Sequence, residues 1–330
     1  MRVAICTGPK RIEVQERPRP EAHAEKVLVR VTLCALCGSD LHVWRGGGHR
    51  QYPYSPGHEF CGVIEEAGKG LAGMTPGVRV VVDPNLGCGD CDFCERGRPN
   101  LCERLKTRPI KSNGGLADYV ALDHRMVHPL PEQLPDDLAH YVEPLSCALH
   151  MIQRADLSPG ARVLVFGAGS TGKLVGAALV LFGIHPVFVE LSDRRRREAT
   201  RLFGAEALSP QELDGSEFAG AVEAAIECTG SAAAVTQAIR SLRKAGRLVV
   251  AGLFGESGRS DIPLDEITTK ELEIVGAWLN PGTFAKALDM AVQLRDLLSG
   301  IETEVFSLDE VAKAFERAAH PDAPKVLVRP

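Results

Sequence analysis

The sequence predicts an α/β protein: a β-rich first part followed by a doubly wound parallel sheet. Three observations carry that prediction. From Met1 to about Leu130, β-branched runs such as Val27 to Leu33 and Val78 to Val82 are punctuated by glycine and proline turns, as in a small all-β barrel or sandwich. After Glu143, short apolar runs alternate with helix-length amphipathic segments, which signals parallel strands wrapped by helices. Gly167, Gly169 and Gly172 then form a G-x-G-x-x-G with an apolar run before it and a helical run after it, the context that motif requires.

In the second part, strands are expected at Arg162 to Phe166, Pro186 to Leu191, Ala224 to Cys228, Arg247 to Ala251 and Leu272 to Ala277. Helices are expected near Gly172 to Phe182, Arg194 to Phe203 and Ala232 to Leu242. The run Arg194 to Arg197 fans out around its helix at about 100° per residue and reads mostly as a solvated face. Gly167 permits the tight turn, Gly169 a close backbone approach to a pyrophosphate, and Gly172 close packing of helix on strand. Ser170 and Thr171 lie within the glycine turn just before the helix, whose N-terminus meets the phosphates.

Glu190 ends the next strand at the distance where a carboxylate accepts hydrogen bonds from the adenosine ribose and repels a 2′-phosphate. NAD is therefore expected, while Arg194 and Arg195 just downstream keep NADP open. Thr229 with Gly230, and Gly252 with Leu253, follow later strands and are placed by position beside the nicotinamide.

Cys88, Cys91, Cys94 and Cys102 form C-x2-C-x2-C-x7-C. Four thiolates fill a tetrahedral shell and leave no open position, which suits a structural zinc. The bacterial iron–sulfur run begins alike but continues x3-C-P, and here the fourth cysteine follows seven residues with no proline after it. Upstream, Cys37, His58 and Glu59 offer sulfur, nitrogen and oxygen, the mixture of a catalytic zinc that keeps a position open. Taken singly, His58 reads as a satisfied core histidine and Glu59 as a buried ion-pair partner; the constellation reads as a metal site.

With 330 residues, 45% hydrophobic and 25% charged, the chain is long enough for two domains. Net charge of −5 offers no basic face for nucleic acid. No apolar run reaches the roughly 20 residues of a membrane span and the N-terminus turns polar too soon for a signal peptide, so a cytoplasmic location is expected. Ten cysteines in such a chain suit metal ligation and buried thiols better than disulfides.

These motifs, together with the segments Gly114 to Tyr119 and Glu143 to Leu145, resemble nearly end to end the zinc-dependent medium-chain dehydrogenase/reductase family. Within it the Cys37 to His42 and Glu143 to Leu145 segments are similar to the polyol branch, of sorbitol or xylitol type, with threonine dehydrogenase as a near neighbour. The resemblance implies a GroES-like β-rich catalytic domain over 1–144 and 280–330, a zinc lobe at about 84–104, and a Rossmann NAD-binding domain over 145–279. The active site is expected in the cleft between them.

It also implies two zinc ions per chain, with Cys37 and His58 as direct ligands of the catalytic ion, Glu59 as ligand or close neighbour, and Glu143 in the remaining place. Asp40 is implied to orient His58, Ser39 to take the substrate proton, and His42 to end the relay at the surface or to be an ordinary exposed histidine. The reaction implied is hydride transfer between a polyol or other secondary alcohol and NAD, the zinc stabilising the alkoxide as it forms. Amino-alcohol and phosphorylated-polyol substrates stay open, as does a catalytically silent nucleotide-binding protein on the same fold. Substrate choice is expected to fall to the loop from Trp44 to Tyr54, with Trp44 as a pocket wall and Arg45, His49 and Arg50 near the substrate. An edge strand at Leu272 to Ala277 is expected to pair copies into dimers or tetramers.

Overall fold

A computed structural model describes residues 1–23, 25–47, 52–71, 73–107, 114–158, 160–254 and 261–330. His49 and Arg50 lie outside the described residues. The chain divides into two units, one of Met1–Pro144, Asn280–Arg295 and Glu302–Pro330, the other of Leu145–Leu279 and Asp296–Ile301.

The first unit is organised by strand Lys26–Ala35. A seven-stranded sheet runs in the order Thr303–Ser307, Lys325–Arg329, Lys26–Ala35, Glu59–Ala67, Arg79–Val82, Val127–Pro129, with Tyr119–Asp123 also paired to Lys26–Ala35. Val29, Ile64, Val80, Val120 and Leu122 bury their side chains in one core with Phe315 of helix Val311–Ala318. At its C-terminal end the organising strand has Glu59 opposite Ala35 on one side and Leu327 opposite the same Ala35 on the other. That register brings two distant ends of the sequence to one spot.

The expected all-β texture is broken by helix Gly38–Trp44, which starts directly after the strand. Asp40 accepts the backbone N–H of Cys37 at 3.2 Å and closes the helix start. Trp44 is 7% exposed, in the core of this unit, and lies 5.7 Å from Phe315 between ring centroids.

Beyond strand Arg79–Val82, Asp83 accepts from the Asn85 backbone at 3.0 Å and from Asn280 Nδ2 at 3.1 Å, while Asn85 Nδ2 donates to Asn280 Oδ1 at 2.7 Å. Burial pushes the Asp83 carboxyl up to about 6. A carboxyl raised by folding favours the folded state most below its unfolded pKa, and that advantage fades as pH climbs through the folded value. Asp83→Asn, whose Oδ1 can keep both donors, should remove a stability loss of up to about 3 kcal/mol between roughly pH 4 and 6. Urea unfolding of variant and parent at both pH values measures this, and parallel pH profiles would refute it.

The second unit holds a six-stranded parallel sheet in the order Ala207–Leu208, Pro186–Val189, Val163–Phe166, Val222–Glu227, Leu242–Val250, Glu273–Gly276. The expected strands and helices are all present with shifted ends; strand Leu242–Val250 opens five residues before the Arg247 that marks it in sequence. Glu273–Gly276 is an edge strand, with Ile274 40% and nearby Trp278 45% exposed. Among the described residues no helix is long and apolar enough to cross a membrane.

Candidate functional site

Cys37 follows strand Lys26–Ala35 by two residues, and His58 and Glu59 stand at the head of the neighbouring strand. Their ligand atoms lie within 4.8 Å of one another. Asp40, fully buried, faces the ring of His58 with Oδ2 3.4 Å from Nδ1, and its Oδ1 accepts the Gly57 backbone N–H at 3.4 Å. One carboxylate thus holds the backbones of Cys37 and Gly57 and lies beside the ring of His58, whose buried Nδ1 makes no hydrogen bond among the described residues. Ser39 is hydrogen-bonded to the Cys37 thiol. Burial, and then the charge of Glu59, push that thiol up to about 12. A divalent cation reverses that penalty, because a coordinated thiol gives up its proton.

Sequence reasoning missed Lys325. It opens the strand on the other side of Lys26–Ala35, is 5% exposed, and pairs with Glu59 Oε2 while donating to the Leu36 carbonyl at 3.1 Å. Desolvation works against its charge, but Glu59, Cys37 and Glu143 together raise its pKa above the ordinary value. Glu143 is buried in the first turn of helix Val142–Ala155, yet its carboxylate lies outside the group formed by Cys37, His58 and Glu59. His42 is half-buried with its ring against the backbone of Gly47.

The sulfurs of Cys88, Cys91, Cys94 and Cys102 also lie within 4.8 Å of one another. Cys102 Sγ accepts the backbone N–H groups of Cys88 and Arg104, both at 3.3 Å, and Arg104 Nη2 reaches Cys88 Sγ at 3.3 Å. Backbone donors, led by that of Cys94, draw the Cys91 thiol down to about 6. Four sulfurs bathed in N–H donors match what a closed tetrathiolate site needs.

In the second unit the glycine turn has a steric cause. A Cβ on Gly172 would lie 1.8 Å from the Gly167 carbonyl oxygen, so helix Ser170–Leu181 meets strand Val163–Phe166 as closely as it does only because that carbon is absent. Gly169 caps the helix, leaving the N–H groups of Ser170 and Thr171 at its start. Glu190 is 8% exposed, accepts Ala168 N–H at 2.8 Å and Ser192 N–H at 2.9 Å, and has Arg195 Nη1 3.9 Å from Oε2. Lys173, just after the turn, makes a buried 2.8 Å ion pair with Glu198 that the sequence did not announce. Thr229 lies against Gly167, and Gly230 and Gly252 approach each other with Leu253 alongside, 51% exposed.

Residues 23–132 match the alcohol dehydrogenase GroES-like domain and residues 157–293 the zinc-binding dehydrogenase domain. The chain is 30% identical to sorbitol dehydrogenase of Bacillus subtilis strain 168, in an alignment covering 100% of this chain and 97% of that protein. The chain belongs to the zinc-type medium-chain dehydrogenases. D-arabinitol dehydrogenase 1 of Uromyces fabae is 29% identical over 98% of this chain and 95% of its own. Among solved structures, a protein of Sinorhizobium meliloti 1021 described as a zinc-binding dehydrogenase and bound to NADP superposes with a TM-score of 0.90 at 30% identity, covering 100% of this chain and 99% of its own. A medium-chain dehydrogenase of the polyol branch is an oxidoreductase acting on alcohols, so the expected α/β architecture, GroES-like part plus Rossmann part, and the enzymatic reading both hold.

Proposed function

We propose that the chain oxidises a polyol, or a closely related secondary alcohol, with NAD as hydride acceptor. The observation that supports this most is the convergence of Cys37, His58 and Glu59 within 4.8 Å, with a buried aspartate beside the histidine. Sulfur, nitrogen and oxygen donors in that number fit a zinc that keeps a position for substrate. When bound there, zinc supplies Lewis acidity that makes an alcohol hydroxyl easier to deprotonate. Asp40 fixes the His58 tautomer, Lys325 balances Glu59, Ser39 Oγ receives the proton, and His42 is its exit. Glu143, outside the three-donor group, acts on the site through its charge or as a fourth donor after adjustment. The second zinc belongs to Cys88, Cys91, Cys94 and Cys102 and stabilises the lobe that carries them.

The relatives named for sorbitol and arabinitol support the polyol assignment. Glu190 supports NAD, since its carboxylate lies where a 2′-phosphate would meet a negative charge. Glu190→Gln keeps the size and an acceptor oxygen, and should lower the ratio of NAD to NADP efficiency by about tenfold. An unchanged ratio would remove Glu190 as the determinant. The exposed edge at Glu273–Gly276, with Ile274 and Trp278, supports pairing of two copies into a dimer or tetramer. Ten free cysteines suit a reducing compartment such as the cytoplasm.

The decisive experiment combines elemental analysis with NAD(P)H absorbance at 340 nm, using sorbitol, xylitol, arabinitol, threonine and simple secondary alcohols. Two zinc ions per chain and turnover of a polyol are expected. Threonine turnover with polyols inert would reassign the substrate, and silence on every alcohol with both zinc ions and nucleotide bound would favour the non-catalytic reading.

A further inference from the structure

At the C-terminal end of strand Val222–Glu227 a carboxylate is fully enclosed by donors. Glu227 has no exposed surface. Its Oε1 accepts the backbone N–H and the hydroxyl of Thr229 and the N–H of Gly230 at 2.8 Å, while Oε2 accepts the N–H of Gly252 at 3.3 Å. Those groups come from two turns, one after strand Val222–Glu227 and one after strand Leu242–Val250. A Cβ on Gly252 would fall 2.3 Å from Gly230 N and 2.6 Å from Glu227 Oε2, so the turns close directly over the carboxylate. Thr229 in turn bears on Gly167, where an added Cβ would sit 2.8 Å from its methyl group. In the parallel register Glu227 is level with Phe166 and Val250, at the strand ends where such sheets bind ligands.

Four donors and no acceptor around one side chain is the setting of a carboxylate anion. A neutral amide could accept the donors on Oε1 but would set its NH2 against the Gly252 N–H. A full negative charge at this place has a second effect, because the nicotinamide ring is a cation in NAD+ and neutral in NADH. We propose that Glu227 is a positioning residue that fuses the Thr229 and Gly252 turns into one shelf for the nicotinamide, and that its charge makes the shelf prefer the oxidised cofactor. This rests on the cofactor site proposed above and adds which redox form the site favours. A unit charge about 12 Å from the ring, at an effective dielectric constant of about 20, shifts the relative affinity of the two forms by about tenfold.

The test is titration of the zinc-loaded protein with NAD+ and NADH, and with NADP+ and NADPH, by calorimetry or fluorescence. Glu227→Gln should weaken NAD+ about tenfold more than NADH, whereas Thr229→Val, which removes a link but no charge, should weaken both equally. Glu227→Asp keeps the charge: it should bind both forms less well at the parental ratio, and it serves if the glutamine variant does not fold. Equal weakening of the two forms in Glu227→Gln, or a collapsed ratio in Glu227→Asp, overturns the charge proposal and leaves the cofactor site standing. A parent protein that binds none of the four nucleotides overturns both.

Discussion

Lys325→Ala should destabilise the zinc-free protein by about 3–5 kcal/mol, because it leaves the Glu59 carboxylate buried without its counter-charge. Both partners are almost fully buried, so solvent cannot screen or replace the lost cation. Converting both residues at once, as Lys325→Met with Glu59→Leu, should recover most of the loss, since the pair's own desolvation cost disappears with it. Zinc adds a diagnostic. If Glu59 turns to the metal, zinc loading should shrink the penalty of Lys325→Ala; if Glu59 stays in second contact, the penalty should persist. Urea unfolding of the three proteins with and without zinc reads all of this, and a single-variant loss below about 1 kcal/mol would refute the buried-pair argument.

Asp40→Asn should lower activity, or affinity for the catalytic zinc, by about 10–100-fold while the four-cysteine site keeps its ion. The aspartate makes three separate contacts, to Cys37 N, Gly57 N and the His58 ring. An asparagine can retain an acceptor for one backbone group, but it no longer favours the tautomer with the proton on Nδ1. After dialysis against a weak chelator the variant should hold one zinc per chain where the parent holds two. Equal loss of both ions would mean that Asp40 supports the unit as a whole rather than the metal centre.

Motifs local in sequence were legible, and arrangements made by register were not. The glycine turn, the four-cysteine spacing and the Glu190 position all act within about 25 residues, so their chemistry can be read along the chain. Helix Gly38–Trp44 was hidden because it is only about two turns long within a stretch of all-β texture; the reciprocal contacts of Cys37 and Asp40 close its start. Trp44 read as a pocket wall because it opens the loop between the metal ligands; its ring partner Phe315 lies on a helix near the other end of the sequence, which no local reading could supply. Lys325 gave no signal, since one lysine opening an apolar run looks like any solvent-facing residue. Glu227 was equally silent, because a glutamate closing a strand announces nothing about four donors folding over it.

The pairing of Glu59 with Lys325 spans 266 residues, and the consequence is one of timing. On a ribosome adding about 5–20 residues per second, the lysine follows the glutamate by roughly 13–53 s. During that interval the strand beginning at Glu59 has no cation of its own to dock against, so the nascent β-rich unit must wait, partly open, for its final strand. A metal ion captured early by Cys37 and His58 could stand in for the missing charge. The vulnerability of this protein to zinc starvation would then be greatest while it is being made, and pulse-labelled chains should aggregate in zinc-poor medium well before the finished pool does.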